Sequence, residues 1–256
     1  MKLRVLIATV LTVIAATWTG SASGSRTDMV VHEWGTFLAM NGSDGVSLDG
    51  MYHEEHALPP FVHARSKDQL KLKSALVKSE TPVIYFYAKR PQQVSVRVDF
   101  PGGVWTQWYP QAGLVGPVLA QVDSRARPRN GHISWFVDVV PPEVAHGEPP
   151  ATTADALWNH AREVDAAYVA TADQTRRTSE WERFLFYRGL GEAKLPLEMH
   201  AHDGRIAARA TAASGVRHLF VVRVENGRGT FAYVPTLDVC RQAAAILDRF
   251  LEEQVR

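Results

Sequence analysis

Between residues 83 and 139 the chain reads in twos. Val94, Val96, Val98 and Phe100 alternate with Ser95, Arg97 and Asp99, the pattern of an antiparallel strand with one buried and one wet face. Pro101-Gly102-Gly103 leads into the apolar run 104–109, and this spacing predicts a hairpin. Val83-Ile84-Tyr85-Phe86-Tyr87 is apolar on both faces, as in a strand covered on both sides. Ile133, Trp135, Val137 and Val139 alternate in a further strand.

The rhythm breaks between Pro141-Pro142 and Pro149-Pro150, which predicts a linker or rigid crossing over 141–150. Beyond it, Ala154, Leu157, Trp158, Ala161, Val164 and Tyr168 recur at helical spacing behind Thr152 or Thr153 as cap, predicting an amphipathic helix. Alternation returns over 195–202, 205–212, 216–225 and 230–234. Asp203-Gly204 and Ser214-Gly215 between these runs are tight-turn chemistry, so a four-stranded meander is expected. A closing helix is expected from Thr236 onward. The expected fold class is mainly β, a β-rich α+β chain with two packed antiparallel sheets, sandwich-like, and two or so amphipathic helices. Residues 24–140 would form an N-terminal β lobe. Residues 151–256 would carry the helix, meander and C-terminal helix, as a second part or continuous with the first.

The opening residues add a compartment. Met1-Lys2-Leu3-Arg4 is a positive start, 5–18 is an apolar run, and small residues follow to Gly24. That order predicts a signal peptide over 1–23 and a secreted or periplasmic protein. The apolar run falls short of the roughly 20 residues a spanning helix wants, so no transmembrane segment is expected after cleavage. Loss of Lys2 and Arg4 leaves 26 cations against 27 anions, a net charge near −1. Nucleic acid is therefore not an expected partner; an unidentified ligand or envelope component is. The lone cysteine, Cys240, lies on a helical apolar stripe with Leu237, Ala244, Leu247 and Leu251, which reads as a small buried hydrophobe. One cysteine allows no intrachain disulfide.

Several chemistries are absent from the sequence. There is no G-x-S-x-G elbow, P-loop or His-Glu-x-x-His. Gly227-Arg228-Gly229-Thr230-Phe231-Ala232 joins two expected strands and opens no helix, so nothing there would hold a pyrophosphate.

Three clusters remain. In "VVHEWGTF" a single strand over 30–38 would put His32 and Glu33 on opposite, largely apolar faces. Burial on both sides predicts an ion pair for Glu33, with Arg183 or Arg188 as partner, and a hydrogen-bonded imidazole. The functional alternative makes His32 and Glu33 a catalytic acid–base pair in a cleft. In "MYHEEHALPPFVH", His53, His56 and His63 surround Glu54 and Glu55 in a proline-bearing loop. Such donors suit a zinc-type divalent metal, or simply a solvated loop. In "LEMHAHDG", Glu198, His200 and His202 share one strand face. Two histidines there could grip one ion, or form the wet face of a strand whose Leu195, Leu197 and Met199 take the core. The aromatic runs "VIYFYA", "WTQWYP" and "RFLFYRGLG" read either as core or as a sugar-binding platform.

"VVHEWGTFLAMNGSDG", "SETPVIYFYA", "VRVDFPGGVWTQWYP" and "ERFLFYRGLG" span residues 30–191. Together they resemble a family of exported bacterial proteins of unknown function, with a His-Glu-Trp-Gly-Thr-Phe opening and a Glu-Thr-Pro-Val strand. The resemblance implies an envelope or secreted location and a bacterial source. It implies no activity, cofactor or catalytic residue. Relatives share His32-Glu33-Trp34 more regularly than the His53–His56 loop, and they run on past the position of Arg256, so a shortened member is expected. The leading expectation is a binding or structural β-sandwich module of the bacterial envelope that needs no cofactor. The rival is a metal-dependent hydrolase with an ion on His200, His202 and a histidine of the 53–63 loop, and Glu33 or Glu55 as base.

Overall fold

The computed structural model describes residues 3–4, 29–48, 57–65, 77–79, 82–118, 129–153, 156–173, 178–192, 196–202, 205–211, 216–225 and 228–237. The chain divides into two compact units, 1–38 with 50–192 and 39–49 with 193–256. The Pro141–Pro150 stretch lies within the first unit.

The fold is mainly β, with antiparallel sheets. The first unit packs two of them. One contains β1 (Leu3–Arg4), β8 (Gln92–Phe100), β11 (Gly131–Val140), β12 (Tyr168–Asp173) and β13 (Thr178–Glu182) in that spatial order, with β10 (Leu114–Gly116) beside β11. The other is built around β14 (Leu185–Gly191). On one side of it lie β6 (Val77–Ser79) and β7 (Val83–Ala88), and β7 in turn pairs with β2 (Met29–Trp34). On the other side lie β9 (Gly103–Tyr109) and β5 (His63–Ala64). The inner faces meet where alternation predicts: Val94, Val96, Val98, Ile133, Trp135 and Val137 are buried, as are Ile84, Phe86, Trp105, Leu185 and Tyr187. Trp105 stands edge-on to Tyr187 at 4.9 Å, and its indole N–H donates across to the Val98 carbonyl at 3.2 Å. The Trp105 indole thus keeps its polar atom satisfied inside an apolar layer.

The outer face of the β14 sheet is also covered. Val83, Tyr85, Tyr109, Phe184 and Phe186 pack with Trp158 of α1 (Leu157–Arg162) and with Leu58 and Phe61. This explains why β7 is apolar on both faces, and it makes the three aromatic runs core.

Several expectations are corrected. β8 and β9 do not form a hairpin: Pro101–Gly103 carries the chain from one sheet to the other. Gly102 and Gly103 are required there, because a Cβ on Gly102 would stand 2.0 Å from the Glu192 carbonyl oxygen. The helix is one short segment beginning after Ala156, with no side-chain cap, and Tyr168 already belongs to a strand. Asn159 ties its first turn down instead, donating to the Thr153 carbonyl at 2.9 Å. In the second unit the expected meander is two separate hairpins, β15 (Leu197–His202) with β16 (Arg205–Ala210) and β17 (Val216–Glu225) with β18 (Arg228–Leu237). Ala208 and Ala210 are buried against Leu197, Val216 and Leu219, while Met199 stays exposed. β3 (Phe37–Asn41) and β4 (Ser47–Leu48) add a tight turn in which Gly45 adopts φ +80°. Thr236 lies within β18, which ends at Leu237, and Cys240 with the rest of the expected closing helix lies outside the described residues.

Candidate functional site

β2 stops at Trp34 and is the outer strand of its sheet, so it is not buried on both sides. Val30 and Trp34 are 53% and 66% exposed, and His32 shares their open face, edge-on to Tyr87 at 5.1 Å. Glu33 points the other way, into the margin of the sandwich. Its partner is neither Arg183 nor Arg188 but the Tyr187 hydroxyl, which donates to Oε1. Arg183 instead gives its guanidinium to the Ala166 carbonyl at 2.6 Å and lies over the Tyr168 ring, and Arg188 donates to Gln107. Burial holds the Glu33 carboxyl above the ordinary carboxylate range, with the Tyr187 bond pulling the opposite way. Burial and the nearby Glu33 carboxylate push the Tyr187 phenol far above its usual value. His32 and Glu33 thus face opposite sides of one strand.

Two acids that sequence reasoning missed sit on β13. Glu182 is fully buried. It accepts from Arg162 Nε at 3.0 Å and a terminal Arg162 nitrogen at 2.6 Å, from Trp158 Nε1 at 2.9 Å and from the Arg183 backbone at 2.9 Å. Four donors fill the lone-pair sites of a carboxylate. It is a structural acid, holding α1 to the sheet. Two residues earlier, Glu180 accepts from the Gln111 amide at 2.6 Å and meets His63 Nε2 at 2.9 Å, which joins the edge of one sheet to β5 of the other. His63 also stacks on Tyr109 with rings 18° apart. The signal for both acids is the alternation Glu180-Trp181-Glu182, but their partners are distant in sequence, 117 residues for His63.

In the second unit Glu198 pairs across its hairpin with Arg209. His200 lies exposed over Gly45, where a Cβ would come within 2.5 Å of its ring. The side chain of His202, and His53, Glu54, Glu55 and His56 entirely, lie outside the described residues. Among the described residues no three His, Cys, Asp or Glu side chains are grouped to hold a metal ion.

What the first unit does offer is a concavity on the outer face of its β8–β13 sheet. Gln93, Asp138, Ala170 and Trp181 stand in register across β8, β11, β12 and β13. Their neighbours Val94, Val137, Val139 and Val169 are buried, so this row faces outward. The chain returns over it after β11. Ala145 packs on Val140, Ala170 and Trp181, and His146 meets the Trp181 ring edge-on at 4.8 Å. Gly147 lies flat on that indole, where a Cβ would stand 2.2 Å from the ring. A hollow of about 390 Å³ remains, completed by Gln92, Ser179, Pro91 and Val144. A second hollow of about 970 Å³ adjoins it through Pro91 and Val144 and carries Lys89, Glu143 and Asp165. The side chains of Gln92, Gln93, Asp138 and Ser179 make no hydrogen bond or ion pair with a described residue.

No protein-family model, curated protein or solved structure matches the chain.

Proposed function

We propose that this protein is an exported β-sandwich binding module of a bacterial envelope. One observation carries the reading. Glu33, Glu180 and Glu182 of the first unit are bonded internally, while the side chains of Gln92, Gln93, Asp138 and Ser179 around the outer hollow have no hydrogen-bond or ion-pair partner among the described residues. Buried acids in an active site are set up to give or take a substrate's proton; here they fasten strands and a helix. Unengaged amides and a carboxylate around an apolar patch are what a ligand site needs. The charged start, apolar run and small residues of 1–23 support export; cleavage there removes β1 (Leu3–Arg4) from beside β8. Among the described residues no helix is long and apolar enough to cross a membrane.

Two measurements test the reading. Cell fractionation with N-terminal sequencing is expected to find a mature chain beginning near Gly24 outside the cytoplasm; a cytoplasmic chain retaining Met1 contradicts export. Purified protein is expected to leave ester, phosphoester and glycan libraries intact with or without added divalent metal. Turnover that tracks bound metal, at about one equivalent per chain, would establish the hydrolase alternative instead.

A further inference from the structure

Resting on the binding-module reading, we infer that the ligand of the hollow beneath 140–147 is a neutral saccharide of one or two rings.

Charge comes first. Among the described residues Asp138 is the one carboxylate lining the hollow, and it is exposed on an outward-facing row. Among the described lining residues there is no lysine or arginine, and the His146 ring is engaged edge-on with Trp181, so the described hollow presents no ammonium or guanidinium to match a phosphate or carboxylate ligand. A single wet carboxylate is also a weak trap for an ammonium. Hydrogen-bonding type comes next. Gln92 and Gln93 each offer donors and an acceptor, Ser179 does both through one hydroxyl, and Asp138 accepts. Sugar hydroxyls also donate and accept at once, so this mixture suits a ring of them better than it suits a ligand with only one kind of group.

Shape supplies the third argument. The polar residues share the hollow with an apolar side of Pro91, Val140, Val144 and Ala170. A pyranose has the same two-sided character, with C–H bonds on its faces and hydroxyls around its rim. Trp181 is only 8% exposed and one face is taken by Gly147, so it offers a wall and an edge rather than a stacking platform. At about 390 Å³ the space lies near the small end of ligand sites, which favours one or two rings over a long chain.

The test is an NMR titration of the isotope-labelled protein, following the Trp181 indole and the Gln92 and Gln93 amide signals. The probes are N-acetylglucosamine and cellobiose as neutral sugars, spermidine as polycation, and inorganic phosphate as anion. The expected result is saturable shifts at these residues with a neutral sugar, weakened at least about tenfold in Asp138→Ala and in Gln93→Ala. Both positions are exposed, so both variants are expected to keep the native spectrum elsewhere. Shifts at the same residues with spermidine or phosphate alone would overturn the saccharide assignment and leave the binding-module reading standing. No shift at these residues with any of the four probes would overturn the assignment and remove the hollow as support for that reading.

Discussion

At the scale of single residues, the Glu33–Tyr187 contact shows how one carboxylate tolerates the margin of a core. A group without a positive partner is desolvated there and answers by holding its proton more tightly. The sign of the pH effect follows. With the folded value raised above 4.5, the native state keeps a proton that the unfolded chain has released. The stabilisation is complete below the unfolded value and is lost as pH rises through the folded one. Glu33→Gln is therefore expected to flatten the fall in stability above pH 4.5. Urea unfolding of both proteins at several pH values measures it, and parallel profiles would mean the carboxyl is solvated. Tyr187→Phe removes the hydroxyl that answers the carboxylate and is expected to cost about 1–3 kcal/mol. That Glu33 needs a partner is legible in the sequence, because apolar neighbours flank it. Which partner it takes is not. Tyr187 lies between the two arginines in the same run, and strand alternation turns it, rather than Arg188, to the inner face.

At the scale of elements, the six-residue helix 157–162 is too short to persist by itself. It is held by its contacts: the Trp158 ring in the aromatic cluster, the Tyr85 hydroxyl on the Ala161 carbonyl at 2.9 Å, and the Arg162–Glu182 pair. Arg162→Met strands a buried carboxylate and is expected to cost about 3–5 kcal/mol. Denaturant midpoints would check it; a loss under about 1 kcal/mol would place the pair in solvent. Glycine at 147 is equally committed, and Gly147→Ala is expected to displace the Trp181 ring, visible as a changed near-ultraviolet circular dichroism spectrum. Alternation located β8 and β11 in the sequence because each has one buried and one wet face. The crossing at 101–103 was hidden because Pro-Gly-Gly serves a hairpin and a change of sheet equally well. The close approach of the Glu192 carbonyl, which decides between them, comes from a segment far along the chain.

At the scale of the whole molecule, the two units differ in how much they bury. The first has two layers and a covered outer face; the described core of the second centres on Ala208 and Ala210 between two hairpins. Isolated hairpins are marginal in water. Amide hydrogens of β15–β18 are therefore expected to exchange well before those of β8, β11 and β14. Equal protection throughout would show a single cooperative body. The mainly β, sandwich-like class was legible from period alone. The outer hollow was not, because its row is assembled from four strands, one residue each. The acids of β13 have a last consequence. A terminal strand with a free row of amides and carbonyls invites another chain to add itself. Glu180 and Glu182 turn inward from just such a strand, and a newcomer aligned there would have to accommodate charges already tied to His63 and Arg162. With β13 at the end of its sheet among the described residues, the same bonds that fasten the sandwich are expected to disfavour fibre-like self-association.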